Sequence, residues 1–547
     1  MPCGKETSWH PSSAAATSWH SARQRGWPRC SACGDGSPSS PNSSTGPVKL
    51  PTYKPVTAAT PDLIAEPAGV SPGYFTYPAA SSAASQPVRG EAVTALTYTY
   101  DPIAPALGSN PYWQNLNSKL GTELKITYVA STDYKSKVAT TIAGGDLPDI
   151  VAIQGVVQQM PAMLKATFTD LTEYLSGDAV LAYPNLAALP TDAWRSTVYD
   201  GRIWGIPVPR ARIGTVLYTR ADLLAKAGLS LQPDSWAEFK EMADALTDER
   251  GGRWAFGQIP FNTILEMNGI TGNWPGGAGV WQAEGGVFTH SGTTPQFTQA
   301  LEDTVELVKS GVVHPDHAGA PNTKRNAWML AGTTSFTIGG YAGWGKFYGQ
   351  AKDVPGFRLT GMLSPTRDGT GTQVRTPGPT LSSFTAMAKT DNADRIKQIL
   401  RVLDWLCAPF GSSEYLALRY GVEGRTFTRN GSDPTLTEAA RSQIFLPVRY
   451  LAEASPVIYE PGNRQAVQDQ HDHQVAGVPL AVADPALGLY SETAASKAAS
   501  EQQELDSVLL EIQLGNKPVS AWQPAIKKFM DRVGNKIKAE YEEQAGG

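Results

Sequence analysis

DGRIWGIPVPRARIGTVLYTRADLLAKAGLSLQPDSWAEFKEMADALTD, residues 200–248, alternates between the two ingredients of an α/β layer. Trp204-Gly205-Ile206-Pro207-Val208 sets a large ring and a fixed-φ proline just ahead of an apolar strand. The strand carries Tyr218 and runs on into a long helical stretch. A second helix opens at Pro233-Asp234-Ser235-Trp236, with Asp234 or Ser235 as its cap. Glu238, three residues beyond Ser235, completes a capping box. A strand that leaves its neighbours for new helices marks the place where one lobe hands over to another.

The same grammar extends outward from this stretch. Ala92–Asp101 alternates like a strand and delivers the Asp101 carboxylate to a sheet edge. Asn110–Gly121 has an Asn cap and a Gly stop, the signature of a helix, and Glu123–Ser131 reads as the next strand. In Ala143–Gly155, Gly144 and Gly145 end a helix, Pro148 stiffens a turn, and Asp149 precedes the strand Ile150–Ile153. Strand–helix–strand spacing of this kind implies parallel pairing through a right-handed crossover. Gly356–Pro365 is a short strand flanked by Gly and Pro, and reads as a second crossover.

Five segments in order resemble the family 1 extracellular solute-binding proteins of bacterial ABC importers, especially their long lipoprotein-type members. They are AGGDLPDIV (143–151), the 200–248 stretch, AWMLAGTTSFTIGGYAGWGKFY (327–348), YGVEGRTF (420–427) and the closing GNKPVSAWQPAIKKFMDRVGNKIKAEYEEQ. The likeness runs from about residue 92 to the C-terminus. It implies an α/β, two-lobed periplasmic-binding-protein-like fold whose discontinuous lobes close about a hinge. Lobe one is expected over 92–212 plus 363–425, and lobe two over 213–362 plus 426–547. The implied function is capture of a sugar or oligosaccharide and delivery to the permease subunits of an ABC importer. A monomer without catalysis or cofactor is expected, held by a lipid anchor on the outer face of the cell membrane.

Composition agrees with that reading. The 547 residues carry a net charge of −5, and 18% are charged, against about 25% in an average soluble chain. At about 150 residues per domain the length fits three to four domains, or two large lobes. Without a basic excess, nucleic acid is not the expected partner. No apolar run reaches the ~18 residues that span a membrane. Trp, at 14, nearly equals Phe, at 15; flat rings in a weakly charged chain suit a neutral, ring-shaped ligand. Trp9, Trp19 and Trp27 fall outside the body, which leaves the remainder for a site.

Three of the four cysteines, Cys3, Cys30 and Cys33, lie near the start, and Cys407 stands alone. Cys30 and Cys33 form a CxxC without the second pair that a zinc site needs. Ser31-Ala32-Cys33-Gly34 before a Ser/Pro-rich run resembles a lipobox, so Cys33 is the expected lipidation site. Residues 1–33 form an atypical leader: TSWH occurs twice and no apolar h-region precedes Cys33. A start or frame error upstream of an authentic lipobox, or a low-complexity segment, accounts for it. Residues 34–91 read as a flexible Ser/Pro/Ala-rich tether.

Sugars offer C–H faces to aromatic rings and hydroxyls to polar groups. Trp204, Trp274, Trp281, Tyr341 and Trp344 stand beside Gly or Pro and are the candidate rings. Asp149, Arg210, Asn268, Glu284, Glu423 and Arg425 are the candidate polar partners. Trp236, Trp254, Trp405 and Trp522 read as core. The alternatives are a secreted glycoside hydrolase, whose carboxylate pair sequence alone does not identify, or a binding protein for a non-sugar solute such as a peptide. No nucleophile elbow or phosphate loop is present. His314–His317 and His471–His473 read as loop histidines, and Thr247–Gly252 lacks the ligand count of a calcium loop, so no metal is expected.

Overall fold

Strand β1 (Val93–Thr99) is buried along nearly all its length, as a central strand of a parallel sheet must be. Helix α1 (Pro111–Leu120) follows, with the Asn110 side chain accepting the Trp113 N–H at 3.2 Å. It ends at Gly121, whose φ of +84° is open to glycine at little steric cost. Strand β2 (Leu124–Ala130) returns parallel to β1. Helix α2 (Ser131–Gly144) and β3 (Ile150–Ile153) repeat the unit on the other side of β1, pairing Ala95 with Ile150. The structure is a computed structural model that describes residues 48–546, apart from 80–84, 101–102, 278, 342, 352, 379 and 442–445. The leader with Cys33 and the strand-end residue Asp101 lie outside the described residues.

Six more strands complete the two main sheets: β4 (Ile206–Pro209), β5 (Thr215–Arg220), β6 (Trp254–Phe256), β7 (Thr334–Gly340), β8 (Leu359–Met362) and β9 (Leu381–Met387). The first sheet has the order β2-β1-β3-β9-β4, with β9 antiparallel to both neighbours. The second has the order β8-β5-β7-β6, with only β7 and β6 parallel. Each sheet has its own core. One gathers Leu96, Val151, Ile206 and Leu403; the other gathers Leu217, Phe256, Phe336 and Trp522.

The chain passes between the sheets at 210–214 and 363–380, and these crossings lie side by side. The Gly378 N–H donates to the Arg212 carbonyl at 2.7 Å, and a Cβ on Gly378 would sit 2.5 Å from the Ala211 oxygen. Only glycine allows that approach. A third crossing falls after Ala452. Residues 446–452, expected in lobe two, pack in the core of the first sheet. Tyr450 stacks on Tyr98 of β1 at 4.6 Å, and the Thr385 hydroxyl donates to the Leu451 carbonyl at 2.6 Å. Helix α3 (Arg464–Gly477) then packs on β8, and α4 (Glu492–Gln513) packs on the second core.

Over residues 48–79, the segment expected as a tether is a strap bound to the body. Thr52 and Lys54 donate their N–H groups to the Gly177 and Ala187 carbonyls at 2.9 and 2.8 Å. Further on, the Ser71 N–H donates to Gln474 Oε1 at 2.7 Å, and Gly73–Tyr74 pairs parallel with Ile458–Tyr459. Tyr77 is 1% exposed and meets Phe410 at 4.9 Å. Irregular backbone anchored by isolated aromatic rings has no period to read. His471 and His473 sit on α3 rather than in a loop; His471 Nε2 lies 2.8 Å from the Ile64 carbonyl of the strap.

Candidate functional site

Ligands of parallel α/β sheets bind beyond the carboxyl ends of the strands. Here β1 and β3 end together, and beyond β3 a cavity of about 710 Å³ opens between the two lobes. Its volume falls within the range of small-molecule sites. Ile153, Gly155 and Val156, which close and follow β3, line it with Tyr199 and with Leu381 and Phe384 of β9. The second lobe contributes the glycine turn from Gly276 to Trp281, the loop from Asp484 to Leu489, and Phe529, Ile537 and Tyr541.

Helix α4 supplies one whole face. Ala494, Ala498, Ala499, Gln502, Gln503 and Asp506 border the cavity at the i, i+4, i+8 spacing of a single stripe. Leu505, Leu509 and Ile512 of the same helix are buried in the second core. The alanines leave room, and the amides and carboxylate supply hydrogen-bonding groups. Asp506 accepts the Gly276 N–H at 3.0 Å and the Gln502 side-chain amide at 2.8 Å. Asp484 accepts the Ala486 N–H at 2.9 Å. Burial raises the pKa of both carboxyls, and their N–H donors offset this only in part.

A hairpin brings a ring pair to the same wall. Trp281–Glu284 pairs antiparallel with Val287–His290 across Gly285-Gly286, so that Trp281 stands opposite His290. Their rings meet edge to face at 5.0 Å. His290 Nδ1 accepts the Gly292 N–H at 3.2 Å, while Nε2, also buried, has no partner among the described residues. Burial pushes His290 down to about 3, so the imidazole is neutral at physiological pH. With Nδ1 accepting, its proton resides on Nε2.

The lobes meet beside the cavity. Gln159, held at a φ of +53°, donates its N–H to Glu492 Oε2 at 3.0 Å. The Tyr490 hydroxyl donates to Glu492 as well. Glu492 starts α4, so lobe one contacts the first turn of the helix whose next turns line the cavity.

Of the sequence candidates, only Trp281 borders this cavity. Trp274 is 3% exposed and packs edge to face against Phe297 and Trp522. Trp344 is fully buried with Tyr218, Met329 and Phe347. The Tyr341 hydroxyl lies 2.9 Å from His473 Nδ1 and 3.0 Å from the Gln470 carbonyl, to which it donates. Trp204 is in the first core and donates its indole N–H to the Tyr199 carbonyl at 3.0 Å.

The polar candidates lie apart from one another. Asp149 sits at the opposite end of β3 from the cavity, where it accepts the Thr94 N–H at 2.8 Å and pairs with Arg395. Arg210 pairs with Glu453 at 2.9 Å. Asn268 donates to Asp303 at 3.0 Å, and Glu423 pairs with Arg429 at 3.2 Å. Glu284 and Arg425 are exposed, on the hairpin and on the 420–427 turn. Among the described residues no cluster of three or more His, Cys, Asp or Glu could hold a metal.

Asp484, Asp506, Gln502 and His290 were absent from the sequence candidates. For His290 a signal existed: WQAE-GG-VFTH is a two-residue glycine hairpin, whose register alone places Trp281 opposite His290. For α4 none did, because an Ala/Gln stripe on a helix looks like an ordinary solvated face.

The sequence profile of the bacterial extracellular solute-binding proteins matches residues 93–406, more than half of the chain. Among curated relatives, the polygalacturonan/rhamnogalacturonan-binding protein YtcQ of Bacillus subtilis (strain 168) is 23% identical over 445 residues, covering 77% of this chain and 85% of YtcQ. The lipoprotein LipO of the same strain is 22% identical over 451 residues, covering 78% and 87%. Among solved structures, an HMO-binding, ABC-transporter-associated solute-binding protein from Bifidobacterium longum infantis superposes with a TM-score of 0.62. It is 14% identical, with 83% of this chain and 98% of that one covered. The last likeness is one of fold.

Proposed function

The chain belongs to the bacterial extracellular solute-binding protein family, and from that premise we propose that it captures a saccharide between its lobes and presents it, chemically unchanged, to an ABC importer. The observation that carries this reading is the interlobe cavity of about 710 Å³, with an aromatic hairpin wall and a polar helix face. Rings take the C–H faces of a sugar, while the amides and carboxylates of α4 take its hydroxyls. Three crossings join the lobes, so a ligand touching both favours the closed form by the contacts that exist only there. The carbohydrate specificity named for YtcQ and for the Bifidobacterium structure supports the substrate class. The latter's association with an ABC transporter supports the partner.

The protein acts outside the cytoplasm as a monomer, tethered through a lipid on Cys33. The lipobox-like sequence at Cys33 and the lipoprotein relative support this part. Among the described residues no helix is long and apolar enough to cross a membrane.

Calorimetric titration of the full chain with mono- and oligosaccharides, followed by chromatography of the recovered ligand, tests the reading. Saturable binding of an intact saccharide is expected. Binding of none, or recovery of shortened sugars, contradicts it; the second result would favour a glycoside hydrolase.

A further inference from the structure

The charges around the cavity are one-sided. Asp484 and Asp506 both border it, and among the described residues that line it there is no lysine or arginine. Among the described residues neither carboxylate has a cationic partner; both rest on neutral N–H donors. Both are half-buried, and carboxylates drawn out of water ordinarily sit against a cation or a full set of donors. Asp484 Oδ2 lies along the glycine turn, 3.8 Å from where a Gly279 Cβ would stand. His290, 1% exposed on the same wall, adds an Nε2–H without a partner among the described residues. With the Gln502 and Gln503 amides, the wall therefore offers acceptors and neutral donors. A hydroxyl can satisfy either, because it donates and accepts. A ligand carboxylate is repelled by both acids and meets no cation.

Resting on the saccharide reading above, we propose that this cavity selects uncharged saccharides and rejects uronates, with Asp484 and Asp506 accepting ligand hydroxyls and His290 Nε2 donating to a ligand oxygen. Specificity of this kind arises as much from what opposes the wrong ligand as from what holds the right one. It sets this chain apart from YtcQ, whose named ligands, polygalacturonan and rhamnogalacturonan, both carry galacturonate rings. The likeness in sequence would then not extend to the charge of the ligand.

Fluorescence titration of the full chain at pH 7.5 tests this, using neutral tetrasaccharides of galactose, xylose and mannose against tetragalacturonate. The same series is run on the double variant Asp484→Asn, Asp506→Asn. In the wild type at least one neutral tetrasaccharide should bind about 100-fold or more tighter than tetragalacturonate. The double variant should narrow that ratio by about tenfold or more, since the amides no longer repel a carboxylate. Equal or tighter binding of tetragalacturonate to the wild type overturns the proposal and leaves the saccharide reading standing. Wild-type discrimination that persists in the folded double variant overturns the role given to the two acids. Binding of neither class, across monomers and oligomers, overturns this proposal together with the reading beneath it.

Discussion

Glycine neighbours misdirect a reading at the scale of single residues. Trp344 stands between Gly343 and Gly345, which looks like an exposed, ligand-ready ring. Those glycines instead admit close packing. A Cβ on Gly345 would lie 2.6 Å from the Glu460 carboxylate, and one on Gly343 would lie 3.1 Å from the Tyr218 hydroxyl. Trp281 follows a similar glycine run, yet its hairpin register turns it to the cavity wall opposite His290. The two tryptophans should therefore separate cleanly. Trp281→Ala weakens saccharide binding by about 1–3 kcal/mol, and because the ring is 8% exposed in the second core it also lowers Tm. Trp344→Ala destabilises the fold by about 3–5 kcal/mol while the folded fraction keeps its affinity. Melting curves and calorimetry on both variants check this, and an affinity loss confined to Trp344→Ala would move the site to the Gly343–Gln350 helix that follows β7.

Elements with a strong period were legible, and those held by isolated contacts were not. The units from Val93 to Ile153 fall where alternation and caps place them, because each strand and helix must hide one repeating set of apolar residues. The same is true of the Ser235 cap, which accepts the Glu238 N–H at 3.3 Å; the Glu238 carboxylate reaches back to the Asp234 N–H at 3.0 Å. The strap has no such repeat, and Tyr77 in its aromatic socket shows how a Pro/Ser-rich stretch can still be fixed. Nor could spacing place the third crossing, whose anchor is one carboxylate from a distant part of the chain. Glu453 there holds Arg210 of the first crossing at 2.9 Å and also meets Arg419 and Arg449.

That anchor has a pH signature. Burial alone would raise the Glu453 carboxyl, but Arg419, Arg449 and Arg210 outweigh it and hold the pKa at about 2, against an ordinary 4.5. A depressed carboxyl contributes its full stability above the ordinary value and loses it as pH falls towards the folded one. Glu453→Gln should cost about 2 kcal/mol or more at pH 7. It should also flatten the acid limb of the stability curve between pH 4.5 and 2. An acid limb unchanged from the wild type, measured by thermal melting across pH, would remove Glu453 from that role.

At the scale of the whole molecule, two cores and three crossings produce a cleft that neither lobe could form alone. Lobe one contributes the end of its parallel strands, and lobe two contributes a hairpin, a loop and a helix face. The low overall charge visible in the composition is concentrated into a local asymmetry here, two acids without a base. Sequence order revealed the family and the two lobes because its motifs are contiguous. The cavity stayed hidden because its wall is assembled from segments some 350 residues apart, Ile153 and Gln503 among them.

The central claim is that a saccharide is held between the lobes against this wall. A crystal structure of the full chain grown with the saccharide that titrates most tightly tests it most directly. The account predicts a sugar ring in contact with Trp281, hydroxyls on Asp484 or Asp506, and contacts from both lobes. A saccharide bound elsewhere, or touching one lobe only, would contradict it.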